Sequence, residues 1–250
     1  MGDLAGGLMV AHGRASTPFG VYVLDAAQPE AELAREIERE VLDEFFSNSP
    51  KLLAEEYGPY DATSTFLCVL DHERRRPAGM IRIIRPSEAG LKSVRDIEAM
   101  SGRSFAELVG PTGAEVDLSA WWDLATLGVA SDYRGAATSG LVAMALYQAL
   151  NMLADREGVV WAVAILDVVV LDLINTAWMD PFKPVPGTYP TTYLDSPASQ
   201  PVFCDAAAYK AKLAMFDPAT HEILFEGRGL ETMVSAPTWD RGLEGAALAS

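Results

Sequence analysis

Apolar residues recur along the chain at two spacings, one of strand type and one of helix type, and their order predicts an alternating series of elements. Val21 to Leu24 is a short apolar segment. From Pro29 to Phe46, Leu33, Ile37, Val41, Leu42 and Phe45 fall on one stripe, as in an amphipathic helix. Thr65 to Asp71 (TFLCVLD) and Ala78 to Arg85 (AGMIRIIR) flank the turn HERRRP and read as a β-hairpin. Pro86 to Ala120 has no clear period and is expected to be irregular. Leu124 to Val129 has strand character, and from Ser139 onward Leu141, Val142, Ala145, Leu146, Ala149, Leu150 and Leu153 return at helical spacing. Val159 to Leu166 reads as a buried strand and Val168 to Trp178 as a helix, after which a Pro-rich extension begins at about residue 179. Residues 1–19 are expected to be a mobile tail, and residues 20–250 a single domain.

The junction at Asp132, Tyr133 and Arg134 draws the chemistry. A strand that turns through small residues into a helix presents unpaired backbone N–H groups and the positive end of the helix dipole, which together suit a phosphate. The run Val129-Ala130-Ser131-Asp132-Tyr133-Arg134-Gly135 resembles the signature of the GNAT N-acyltransferase superfamily, a strand followed by Arg-Gly-x-Gly-x-Gly at a helix start. Ala137 and Ser139 stand where that signature has glycine, and Gly140 comes one position late. The order strand, helix, hairpin, strand, helix, strand, helix is also that of the GNAT fold. The resemblance implies a mixed α/β (α+β) fold with a twisted central sheet flanked by helices.

Within the superfamily, several segments look more like the acyl-homoserine-lactone autoinducer synthases and N-acyl amino acid synthases than the small acetyltransferases. These are Tyr60-Asp61 before the hairpin, Gly79 and Arg82 as Gly-x-x-Arg, and Trp122-Asp123-Leu124 in the place of Trp-Glu-Leu. Arg39 with Phe45 and Phe46 matches the Arg-plus-aromatic element of their first helix more loosely. Their Ser/Thr-Arg-Phe is Ala125-Thr126-Leu127 here, without the Arg.

Composition narrows the function classes. At 250 residues, 50% hydrophobic and 22% charged, the chain can bury one sizeable core. A net charge of −16 repels a nucleic-acid backbone, so no nucleic-acid partner is expected. The longest apolar run, Val159 to Ile174, is interrupted by Asp167 and Asp172, so no membrane span is expected, and the N-terminus does not read as a signal peptide. A cytoplasmic location follows as an expectation. Cys68 and Cys204 offer no metal spacing, and His12, His72 and His221 form no ligand pair, so no metal is expected. Arg74 to Arg76, Arg82 and Arg85 are either a solvated hairpin or a patch for phosphates or an acyl carrier protein.

The resemblance implies acyl transfer from acyl-coenzyme A, or from a carrier protein, to a small-molecule amine. Asp123 is the leading candidate base, because desolvation among apolar neighbours would raise its pKa, and a bond to a neighbouring loop is the alternative. Glu115 is a second candidate, with Asp117 beside it. Asp167 at a helix start reads as an N-cap. Leu127 to Ala130 are candidate backbone donors to the donor arm, and Leu127, Val129, Arg134, Gly135, Ala136, Ala137, Ser139 and Gly140 are the candidate coenzyme-binding residues. Arg134 would face a phosphate, or else pair with Asp132 or another exposed acid. Trp178 stands where the family places a Tyr that assists the leaving thiolate, and reads better as an apolar wall. A deep apolar tunnel lined by residues such as Leu70, Ile83 and Val163 would mean a long acyl chain, and a shallow cavity would mean acetyl; the sequence leaves the two open. The competing reading is a non-catalytic acyl-coenzyme-A-binding or regulatory domain.

Overall fold

The computed structural model describes residues 2–11, 17–114, 117–135, 138 and 140–238. In chain order the elements are α1 (Gly2–Ala11), β1 (Phe19–Asp25), α2 (Ala31–Phe46), α3 (Pro50–Tyr57), β2 (Ser64–Asp71), β3 (Arg76–Ile84), α4 (Lys92–Ser101), α5 (Phe105–Val109) and β4 (Trp121–Val129). Then come α6 (Leu141–Glu157), β5 (Trp161–Asp167), α7 (Val168–Ala177), β6 (Lys183–Pro184), β7 (Thr191–Tyr193), β8 (Ser196–Asp205), α8 (Ala206–Phe216), α9 (Pro218–Glu226) and β9 (Val234–Thr238). Among the described residues the strands form one mixed sheet in the order β6-β8-β5-β4-β3-β2-β1-β9, with β7 also on β8. The β4–β5 and β1–β9 pairs are parallel and the others antiparallel. This is the mixed α/β architecture expected.

Helices cover both faces, so β2 is buried along its whole length, and Phe66 to Leu70 at its centre are all apolar. Two glycines set the helix distances. A Cβ on Gly128 would meet Val41 of α2 at 3.0 Å. Gly79 pairs with Val129 and so faces the other way, where a Cβ would meet Val142 of α6 at 2.8 Å and the Gly128 carbonyl at 3.0 Å. Gly79→Ala is therefore expected to lower the urea unfolding free energy by about 1–3 kcal/mol, the range for overpacking a tight core. An unchanged midpoint would show that α6 can give way.

The apolar stripe of α6 packs on the sheet through Val142, Ala145, Leu146, Ala149 and Leu153, as its spacing predicts. Three expectations are corrected. The first residues form α1, with Ala5 and Leu8 fully buried, where a mobile tail was expected; Gly6 and Gly7 weaken a helical signal that burial supplies instead. The stretch 86–120 contains α4 and α5. The second begins with a capping box between Ser104 and Glu107, a signal present in the sequence. The extension after residue 179 contributes β8, which pairs with β5 over seven residues, and then α8 and α9 close the α6 side.

Candidate functional site

The two parallel strands at the sheet centre part company. β4 and β5 pair only at Trp121–Trp161, Trp122–Ala162 and Asp123–Val163. Directly afterwards β4 carries a bulge: Leu124 opposes Ile83 and Thr126 opposes Arg82, leaving Ala125 extra. A bulge bends its strand and sharpens the twist, which turns the rest of β4 away from β5. The opening holds a cavity of about 200 Å³. On the α2 side its wall is Leu42, Phe46 and Thr126; in the opening it is Leu124, Ala125 and Leu127. On the α6 side it runs past Tyr147, Ala162 and Trp178 to Tyr209 of α8 and Leu224 of α9. The cavity thus passes through the sheet and is mostly apolar. Leu70, Ile83 and Val163, the residues a deep tunnel would use, are packed in the core and do not line it.

Trp178 is part of this wall, as expected, and stands edge-on to Tyr147 at 5.6 Å. Tyr147 carries no sequence signal of its own, because it lies off the family positions. Burial pushes its hydroxyl up to about 12, so it is a proton-bearing group within the cavity wall. Asp167 caps α7 by accepting from the Val169 N–H at 2.9 Å, as its position predicts.

Asp123 is fully buried and outside the cavity wall. Its two oxygens accept from the Ser93 N–H at 2.6 Å and from the Ser93 hydroxyl at 2.7 Å. The Leu91 side chain at the α4 N-cap makes no capping bond, so the strand carboxylate caps the helix in its place. Burial raises the Asp123 pKa to about 6, against the lowering effect of the Ser93 bonds and of Lys92. The alternative reading, a bond to a neighbouring loop, comes near this geometry, but the partner is the first turn of α4. Glu115 lies outside the described residues. Asp117 accepts from the Ser119 N–H at 2.9 Å at the surface.

A charged network fills the α2 side next to the cavity. Arg82 donates to both oxygens of Glu38, at 2.8 and 2.6 Å, and to Asp61 at 3.2 Å and Ser64 at 3.1 Å. Its guanidinium lies between the rings of Tyr57 and Phe66, at 4.7 and 4.6 Å. Arg35 reaches Asp61 at 2.8 Å, whereas Arg39 pairs with Glu32 at the surface. Asp61 and Arg82, which the synthase resemblance points to, do meet here. Arg35, Glu38 and Tyr57 belong to no motif in the sequence. Beside them Lys92, almost fully buried, contacts Glu56 at 2.7 Å, Asp96 at 2.6 Å and the Tyr193 hydroxyl at 2.7 Å. Burial disfavours the Lys92 cation, but Asp96 and Glu56 outweigh it and hold its pKa above the usual lysine value.

The turn after β4 is pinned by Tyr133, whose hydroxyl donates to Asp71 at 2.9 Å. Gly135 and Gly140 take left-handed backbone, φ 57° and 76°, and Gly140, the N-cap of α6, has no side chain to cap it. Ala136, Ala137 and Ser139 lie outside the described residues. Arg134 donates to the Val129 carbonyl at 2.6 Å and to Glu44 at 2.9 Å, and its guanidinium lies over Phe45 at 4.7 Å. Its other terminal nitrogen is buried without a partner among the described residues. The acid it meets is Glu44; Asp132 pairs with Arg76 at 3.0 Å. Arg85 forms a forked pair with Glu157 and lies over Trp122, so the arginines of the hairpin strand are engaged with internal acids.

Among the described residues there is no group of three or more His, Cys, Asp or Glu side chains placed to hold a metal, and no helix long and apolar enough to cross a membrane. No protein-family model and no curated protein matches the sequence. Solved structures do. FeeM, an N-acyl amino acid synthase from uncultured soil microbes, superposes with a TM-score of 0.59 at 14% identity, over 82% of this chain and 100% of that one. BjaI, a CoA-dependent acyl-homoserine lactone synthase solved with SAM and isopentyl-CoA, gives 0.53 at 17% identity, over 92% of this chain and 99% of that one. The acyl-homoserine lactone synthase LasI gives 0.50 at 14% identity, over 80% and 95%. The fold is GNAT-like, as in these three synthases.

Proposed function

We propose that the protein moves a fatty acyl group from acyl-coenzyme A to the amine of a small molecule such as an amino acid. One observation carries the reading: an apolar cavity that crosses the sheet where β4 and β5 diverge. Its opening lies beside unpaired strand edge, which supplies backbone donors for a thioester carbonyl. The β4–α6 turn, with its left-handed glycines and a glycine at the N-cap of α6, suits the phosphates of the donor. The amine lone pair forms the C–N bond, the C–S bond breaks, and the proton lost from nitrogen is matched by one gained on the thiolate. An acidic carrier protein is a poorer donor, because the chain carries −16 itself and Arg76, Arg82 and Arg85 already face acids.

The test is amine-dependent release of free thiol from a series of acyl-coenzyme A donors, with the amide identified by mass. Transfer from long and medium donors is expected, and silence across the series overturns the reading. Ala162 lines the cavity on the α6 side of β5. Ala162→Phe is expected to cut use of long donors at least about tenfold while acetyl transfer survives, as a pocket blocked by added methylenes does. Equal loss for both donors would count against the acyl chain lying there.

A second reading is a domain that binds acyl-coenzyme A without turning it over. It is favoured by Asp123, whose oxygens are both committed to Ser93, and by Arg134, which is committed to Val129 and Glu44. Donor binding without thiol release at any amine concentration would support it.

A further inference from the structure

We propose that Thr126, backed by Tyr57, is the residue that holds the acceptor amine at the mouth of the opening. The inference rests on the acyl-transfer reading and adds the acceptor's contact to it. Thr126 lines the cavity on the α2 side, where its neighbours in the wall are the apolar side chains Leu42 and Phe46. Its hydroxyl donates to the Tyr57 hydroxyl at 3.3 Å, and the Tyr57 hydroxyl donates to the Ala125 carbonyl at 3.5 Å. The hydrogens of this short relay therefore point away from the cavity, and the Thr126 oxygen keeps its lone pairs for a donor arriving there. An amine N–H is such a donor. With one N–H on Thr126, the nitrogen lone pair is free to face the bulge at Ala125, where the thioester carbon comes within reach.

Tyr57 is a positioning residue and is itself held. Its ring lies over the Arg82 guanidinium at 4.7 Å and near the Lys92 ammonium at 5.4 Å. The relay ends on a backbone carbonyl, which is no base, so the pair orients the amine and does not take its proton. Thr126 occupies the position at which the synthase pattern has Arg. A neutral acceptor of N–H bonds in place of a cation suits an acceptor that presents a primary amine here.

The experiment compares wild type, Thr126→Val, Thr126→Ser and Tyr57→Phe in amine titrations at saturating acyl-coenzyme A. Donor affinity is measured separately by calorimetry and folding by thermal midpoint. Thr126→Val is expected to raise the KM for amine about tenfold, on the scale of one lost hydrogen bond, with donor affinity unchanged. Thr126→Ser is expected to restore it, and Tyr57→Phe to give a smaller rise. An amine KM equal to wild type in Thr126→Val overturns the proposal. So does a loss that Ser fails to rescue, which would mark a packing role. Wild-type protein that binds donor but transfers to no amine would remove the acyl-transfer reading, and this inference with it.

Discussion

Arg82→Ala is expected to destabilise the protein by about 3–5 kcal/mol, the cost of leaving one member of a buried ion pair without its partner. Glu38 is nearly as buried as Arg82, and both its oxygens are held by the same guanidinium. With Arg82 gone, the buried Glu38 carboxylate is left without its counter-ion between α2 and β3. The rings of Tyr57 and Phe66 also lose the plane they sandwich. Arg82→Lys should recover little, because an ammonium cannot meet Glu38, Asp61 and Ser64 in one plane. Urea denaturation gives the single-variant losses, and the double variant Glu38→Leu/Arg82→Met decides the cause. If the unpaired charge is what costs, the double variant is more stable than Arg82→Ala. If it is less stable, the loss comes from packing of the guanidinium between its rings.

That network shows where the sequence is legible and where it is not. The central strands and the main helices announce themselves because they bury apolar residues at fixed spacing, and the β4–α6 turn because small residues and Arg134 punctuate it. Asp61 and Arg82 are visible as parts of a motif. Their partners Glu38 and Arg35 look like solvent-facing helix residues, since a charge on a helix gives no local sign of whether another strand will bury it. β8 is hidden by Pro197 and Pro201, residues that discourage a strand reading. Pro201 still fits there, with Val185 donating to its carbonyl at 2.9 Å. The bulge at Ala125 that opens the site has no signature at all: it is a property of pairing register, which exists only between strands. Asp123 stands out as an acid on the right strand, but the serine that engages it lies 30 residues away in a stretch that reads as irregular.

The consequence of that engagement is a distinct pH dependence. Burial raises the folded-state pKa of Asp123 to about 6, from an ordinary value of 3.8. The folded protein therefore holds this proton more tightly than the unfolded chain. Below pH 3.8 both states are protonated and the site adds its full stability; as pH rises to about 6 that contribution is lost, and it stays lost above. The gap between the two values corresponds to about 3 kcal/mol. Asn at this position stays neutral throughout, can accept from the Ser93 N–H and can donate to the Ser93 hydroxyl. Relative to wild type, Asp123→Asn is therefore expected to gain about 3 kcal/mol in unfolding free energy between about pH 4 and pH 7, every other acid being common to both chains. Parallel stability curves for the two proteins would refute the raised pKa. Turnover of the same variant then separates cap from base. Removing a general base costs about 10²–10⁴-fold, whereas an amide that keeps both Ser93 bonds keeps α4 seated against β4, and the fall in rate should be smaller than that range.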